Sequence, residues 1–341
     1  MFIYLVKRLN LLITTLFLLS LLSFSLGHLF PGDPVINFTG QQSLTYEEYA
    51  DIRQVLALDD SYFMQYLAYL DRVFSGDFGL SFTSQSEVIR DFVRIFPASA
   101  ELSFYALVVT MLVGLPLGLW AGVKRNSLID KIIFSASAIA NSIPIFWLGL
   151  LFILVFSLNL AWLPISGRLN LLYDIPYISG VLLIDIALSD FDNKWPIYQD
   201  ALRHLILPTV TLATLPTTLL IGMMRTNVIS VMDSQYIKAA RTKGISLYQI
   251  VRRHVLRNAL LPIIPQFGLL FNTLMTSTMI TEIIFSWPGI GHWLLEAIYQ
   301  RDYPVIQASL LLVSSFMILI NVLADIIHTL VNPLVRKELN G

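Results

Sequence analysis

Apolar residues along this chain run together for twenty positions or more, six times over, instead of alternating with polar ones. The runs lie at about 9–30, 102–123, 132–160, 205–224, 260–284 and 306–330, each near or above the roughly 20 residues a helix needs to cross a bilayer. They predict an all-α integral membrane protein with six transmembrane helices. A seventh run, Ile178 to Leu188, is too short to span and contains Asp185, so it predicts an interfacial or re-entrant segment. Four regions follow: a first helix within 1–30, a polar segment outside the membrane at 31–98, a membrane core at 99–331 and a tail at 332–341.

Local signals refine this outline. "PGDP" at Pro31 to Pro34 stops the first helix at the membrane surface. Beyond it, "YEEYADIRQVLAL" (Tyr46 to Leu58) has helical periodicity and "SGDFGLSF" (Ser75 to Phe82) is glycine-rich, which predicts a small lid or docking element. Lys7 and Arg8 ahead of an apolar run, with Ser23 and Ser25 as small residues, imitate a secretory signal. The run is longer than the 7–15 residues of a signal core, so an uncleaved helix is expected. Gly114, Gly118 and Gly122 recur every four residues and share one helix face, where a second helix can approach closely. Pro116, Pro144, Pro208, Pro216, Pro262 and Pro265 interrupt the spans, and each removes a backbone donor and predicts a kink. "RHLILP" (Arg203 to Pro208) and "RNALLP" (Arg257 to Pro262) echo one another, but six residues do not establish a repeat.

Composition agrees with a membrane protein: 56% of the 341 residues are hydrophobic and 13% charged, against about 25% charged in a soluble domain. The net charge of −1 says little, because location carries the information. With the N-terminus inside, the inner face holds Lys7, Arg8, Lys124, Arg125, Lys131, Arg225, Lys238, Arg241, Lys243, Arg252, Arg253, Arg257, Arg336 and Lys337. The outer face holds Arg53, Arg72, Arg90, Arg94, Arg168, Lys194, Arg203 and Arg301, a split of 14 to 8 that satisfies the positive-inside rule with both termini cytoplasmic. Acidic residues gather in the first outer segment.

Candidate chemistry is sparse. The chain has no cysteine, hence no disulfide framework or thiolate metal site. Its five histidines are scattered without an H-E-x-x-H pair, and no G-x-S-x-G elbow, S-x-x-K pair or phosphate-cradling G-x-x-x-x-G-K-[ST] loop occurs. Glu101, Glu282 and Asp325 lie near span ends. Hydration at the outer interface is expected for the first two, and pairing with a neighbouring helix for Asp325. "FSWPGIGHWL" (Phe285 to Leu294) predicts an aromatic anchor at the outer interface. An intramembrane enzyme, or a lipid-binding scaffold, is the rival class.

The densest positive charge is "KAARTKGISLYQIVRRHVLRNALLPIIP", Lys238 to Pro265, on the inner side. Gly244 suits the left-handed end of one short helix. Ser246, three before Gln249, predicts a capping box for a second helix running toward Pro262. Charge alone suits anionic lipid or a solvated loop. The small Ala239 and Ala240, the glycine and the caps suit docking of a cytoplasmic protein.

Lys238, Ala239, Ala240 and Gly244 resemble the EAA coupling motif of ATP-binding cassette importer permeases, with Lys238 in place of the glutamate and Pro262 later than the general pattern. The longer form through His254, Arg257 and Asn258 resembles the dipeptide and oligopeptide branch. "PGDP", "SIPIFWLG" (Ser142 to Gly149), "WLPISGR" (Trp162 to Arg168), "ITEIIFSWPGIG" (Ile280 to Gly291) and "RDYPVIQ" (Arg301 to Gln307) are similar to that branch, in family order. "RHLILPTVTLATLPTT" and "RRHVLRNALLPIIPQFGLLF" are most similar to its Sap-type peptide permeases. The resemblance implies a type I importer permease fold in a bacterial inner membrane. It implies a non-enzymatic path for antimicrobial or other peptides, small cations such as polyamines being the alternative. The implied partners are a second permease in a heterodimer, two cytoplasmic ATPases, a periplasmic peptide-binding protein and membrane lipid, with no nucleic acid. This chain would bind no cofactor, ATP and magnesium being used by the ATPases. Lys238, Ala239, Ala240, Gly244, His254, Arg257, Asn258 and Pro262 would form the coupling site.

Overall fold

The computed structural model of the chain describes residues 2–30, 32–39 and 44–331. Pro31, the tail at 332–341 and the side chains of Lys7, Pro265, Asp325 and His328 lie outside what it describes. The described elements are helices, with one isolated antiparallel bridge between Leu80 and Glu87. Two compact units share the chain: Phe2–Ala98 with Pro288–Leu319, and Ser99–Trp287 with Ile320–Gly341.

In the first unit, α1 (Phe2–Leu29) is followed by the short α2 (Pro34–Thr39), α3 (Tyr46–Val55) and α4 (Tyr62–Ser75). Thr45 caps α3 with a complete capping box to Glu48, and left-handed Gly76 closes α4. The periodicity expected around Tyr46 is therefore α3. Next, α5 (Val88–Val123) starts here and continues into the second unit. Val88 packs with Ala297, Val305 and Ala308.

The second unit continues with α6 (Leu128–Ser142), α7 (Ile145–Phe152), which widens into a π-wound stretch at Ile153–Asn159, the short α8 (Leu182–Leu188) and α9 (Trp195–Met232). Then come α10 (Gln235–Thr242), α11 (Leu247–Ile250), α12 (Leu256–Leu260) and α13 (Phe267–Ile284). The last two elements are α14 (Ile290–Gln300), in the first unit, and α15 (Tyr303–Val331), shared by both.

Among the described residues, five helices are long and apolar enough to cross a membrane: Arg8–Leu29, Val88–Val123, Trp195–Met232, Phe267–Phe285 and Tyr303–Ala324. A sixth span is made only if α6 and α7 count together, and they bend by 100°. The continuous third span expected at 132–160 is therefore broken. Ile143 is extended (φ −90°, ψ 121°) and Pro144 caps α7, in line with the bias of a proline ring against the helical conformation of the residue before it. Pro208 and Pro216 lie inside α9 and Pro116 inside α5 without ending either helix, whereas Pro262 falls in a tighter 3-10 turn at Leu261–Gln266. Both α5 and α9 begin ten or more residues before the expected spans. Their first turns mix polar with apolar positions, so a search for apolar runs passes over them.

The glycine stripe of α5 faces α9. A Cβ built on Gly118 would lie 2.7 Å from the Cβ of Met224 and 2.8 Å from the carbonyl oxygen of Ile221, and one on Gly122 would lie 2.6 Å from the Cβ of Val228. Backbone meets side chain directly there, which only a residue without a Cβ allows.

Candidate functional site

The basic segment is a helix-turn-helix seated on the end of α9. Ile237 in α10 and Ile250, Val255, Ala259 and Ile263 beyond the turn are buried with Leu220, Met224 and Val228 of α9 and Leu270 of α13. The turn is made by Gly244 at φ +75°, where an added Cβ would meet nothing within 4 Å. The glycine is needed for its backbone angle, then, and not for space. Ser246 Oγ accepts from Gln249 N at 3.4 Å, and this is the half of the expected capping box that forms. Between α11 and α12 the winding widens to a π turn at Val251–Val255. The spacing explains it: Ile250 and Val255 are five apart and both buried, and an i+5 turn places such a pair on one face.

The opposite face is open. Lys238, Ala239, Arg241, Lys243, Gly244, Arg252, Arg253 and Arg257 are exposed, as is Pro262. Among the described residues, none of these bases has an acidic partner. Tyr236, Leu247 and Tyr248 are exposed among them, Tyr248 by 71%. Ala240 packs down onto the apolar core, so of the two alanines expected to admit a partner only Ala239 is exposed. His254 and Asn258 are half-buried. Asn258 Nδ2 donates to Tyr236 Oη (3.1 Å), tying the two helices together, and Asn227 Nδ2 of α9 donates to the Ala259 carbonyl (3.1 Å). Nearby, Arg225 of α9 holds Asp130 of α6 with two bonds of 2.6 and 2.8 Å, and Arg125 meets Asp233 at 3.0 Å.

A second polar cluster was missed. Glu101 and Glu282, expected to be hydrated, are 4% and 0% exposed. Glu101 forms an ion pair with Arg168 and accepts from the Leu182 amide (3.3 Å) and Tyr105 Oη (3.3 Å), while Arg168 also donates to the Gly180 carbonyl (2.7 Å). Ser99 Oγ donates to Glu282 at 2.5 Å. Burial dictates this: a carboxylate away from water persists only where donors replace the hydration. The Arg168 guanidinium stands over the Trp287 ring at 5.6 Å. Phe285 and Trp287 are buried, which corrects the interfacial anchor expected of them. Asp185, in the first turn of α8, accepts from Ser179 Oγ (2.6 Å), Ser179 N (2.7 Å) and Gly180 N (3.0 Å) of the loop before that helix. Burial pushes the Asp185 carboxyl up, but these bonds outweigh it and hold it below the usual carboxylate range.

Comparison with known proteins identifies the family. Residues 114–337 match the family described as "Binding-protein-dependent transport system inner membrane component", and residues 1–103 match its N-terminal region. The di/tripeptide transport system permease protein DppB of Pseudomonas aeruginosa is 43% identical over 98% of this chain and 99% of its own length. The peptide transport system permease protein SapB of Salmonella typhimurium is 39% identical, and the putrescine export system permease protein SapB of Escherichia coli K12 is 40% identical. Each of these two matches covers 99% of this chain and 98% of the relative. The chain belongs to the family of inner membrane components of binding-protein-dependent transport systems.

Proposed function

We propose that this chain forms, with a second permease subunit, the path of a peptide transporter driven by two separate ATPases and supplied by a periplasmic binding protein. One observation carries the reading: an open, basic face with Ala239, Gly244, Leu247 and Tyr248 at its centre stands on a rigid apolar base. Small residues let a partner approach the backbone, Leu247 and Tyr248 supply apolar contact, and unpaired bases steer an acidic partner. The same face looks into the cytoplasm in this reading, as do both termini. Ile237, Ile250, Val255 and Ala259 key the platform into α9, and the helical run from α12 leads on to α13. A push from a closing ATPase therefore moves two spans together. Within the coupling set, Lys238, Ala239, Gly244 and Arg257 touch the partner, and Ala240, His254, Asn258 and Pro262 hold the platform's shape. ATP and magnesium belong to the ATPases.

Cargo is a peptide in this reading, on the strength of relatives named for di/tripeptides and peptides over nearly the whole chain. A polycation such as a polyamine is the second reading, favoured by the relative named for putrescine export. Transport assays in both directions with labelled dipeptide and putrescine on the reconstituted complex separate the two.

Ala239→Asp tests the coupling role. The complex is expected to assemble while peptide-stimulated ATP hydrolysis and transport are both lost. Unchanged values of both would refute the role, and so would transport by this chain without any ATPase.

A further inference from the structure

The two helices α3 and α4 follow one another in the segment assigned from sequence to the water outside the membrane, and only α3 fits that place. It carries Glu47, Glu48, Asp51 and Arg53 and buries none of its residues. From Tyr62 to Leu70, α4 has no charged side chain. One of its faces, with Gln65, Tyr66 and Tyr69, is buried. The opposite face is apolar: Phe63, Leu67, Leu70 and Phe74 recur at helical spacing, and Phe63 and Phe74 are 67% and 86% exposed.

The depth of α4 follows from its bonds to α1. Tyr69 Oη donates to Ser23 Oγ at 3.0 Å, Tyr66 Oη and Ser20 Oγ are 2.7 Å apart, and the Phe24 ring lies 5.4 and 5.6 Å from the two tyrosine rings. The span Arg8–Leu29 has 22 residues, about 33 Å at the helical rise, little more than the ~30 Å hydrocarbon thickness. Leu29 is then at the hydrocarbon edge, with Ser23 and Ser20 roughly 9 and 13 Å below it. Around them, Phe17, Leu18 and Leu22 of α1 are exposed, as on any face that meets lipid. A helix whose tyrosines bond at that depth presents its far side to the same surroundings. The pair His28 Nε2 and Gln65 Oε1, 2.9 Å apart, with Tyr62 beside it, marks the polar boundary at the Leu29 end.

We propose that α4 is embedded in the leaflet at the Leu29 end of α1, with Phe63, Leu67, Leu70 and Phe74 in contact with acyl chains. Asp71 and Ser75, on a third face with Ala68, point toward the headgroups. The helix is a lateral prop that ties the segment 31–98 to the membrane surface, in place of a lid free in water. This requires only that Arg8–Leu29 cross the bilayer and does not depend on the transport reading.

The absence of native cysteine makes the test direct. Single variants Phe63→Cys, Leu67→Cys, Phe74→Cys, Asp51→Cys, Asp71→Cys and Leu22→Cys are spin-labelled in the assembled complex in phospholipid vesicles. Collision rates with oxygen and with a water-soluble nickel chelate are then compared. Labels at 63, 67 and 74 are expected to match Leu22, favouring oxygen several-fold over the level at 51 and 71. Nickel accessibility equal to that at 51 overturns the proposal, and so does shielding from both reagents, which means a protein surface covers the stripe. Hydroxyl-radical footprinting of the unmodified complex in nanodiscs gives a second reading: Phe63 and Phe74 are expected to label several-fold less than Tyr46 of α3, and equal labelling overturns it.

Discussion

The helix-turn-helix at α10–α12 and the cluster around Glu101 both concentrate charge, and they treat it in opposite ways. On the platform, Lys238, Arg241, Lys243, Arg252, Arg253 and Arg257 stay in the open with no acidic partner among the described residues. In the cluster, Glu101 is enclosed and Arg168 mostly so, and they are bonded to one another and to backbone groups. An exposed charge keeps its hydration and stays available to another molecule, whereas an enclosed one must be matched inside the fold. The platform's charges should therefore matter to association and hardly to stability, and the cluster's the reverse.

The largest effect is expected where matching is removed. Glu101→Ala leaves Arg168 enclosed without its counter-charge and should destabilise the chain by roughly 3–5 kcal/mol, read as a lowered unfolding midpoint in detergent. Replacing both partners, Glu101→Ala with Arg168→Met, should recover much of that loss. A single variant as stable as the parent would remove the cluster from the list of structural supports.

Next comes packing between spans. Gly118→Val forces side-chain atoms into Met224 and the Ile221 backbone and should cost about 1–3 kcal/mol by overpacking. Gly222 of α9 supplies the opposite sign, because nothing lies within 4 Å of its added Cβ. Gly222→Ala should raise the unfolding midpoint, by up to about 1 kcal/mol from helix propensity. Equal effects at the two glycines would mean that the close approach of α5 to α9 does not hold in the membrane.

What could be read from sequence was local. Runs of twenty apolar residues announce spans, and Gly244 and Ser246 announce a turn between two helices because a left-handed angle and a cap are decided within a few residues. Contacts between distant segments could not be read this way. Glu101 and Arg168 are 67 positions apart, and the one visible sign was a carboxylate in apolar surroundings. Pro144 announces a break, but not its size, a bend of 100°. A signal for the inward turn of Ala240 did exist: it lies three residues after Ile237, on the same face, and Ile237 is buried.

A smaller loss is expected at the turn itself. Gly244→Ala meets no neighbouring atom but must hold a left-handed angle, for which about 1–2 kcal/mol is the usual penalty of a side chain. Gly244→Asn should recover part of it, since asparagine tolerates that region better. Thermal unfolding of the two variants separates backbone strain from lost contact, because a contact defect would follow side-chain size instead.

The smallest effect on stability should come from the charges that dominate the platform's appearance. Arg252 and Arg253 lie on the π turn with their side chains outside and no acidic partner. Removing both, Arg252→Ser with Arg253→Ser, takes away no internal contact, so the unfolding free energy should stay within about 0.5 kcal/mol of the parent. Association with the ATPase is where their loss should register. Unpaired bases raise the rate at which an acidic surface finds its seat, and salt screens that attraction over about 10 Å at 0.1 M. The double variant should therefore bind its ATPase more slowly at low salt and converge with the parent as salt rises, with dissociation little changed. A deficit that persists at high salt would mean that the two arginines make close contacts in the docked state. They would then join Ala239 and Gly244 as proposed contacts at the seat, and the contrast between an open charged face and an enclosed one would narrow to the residues around it.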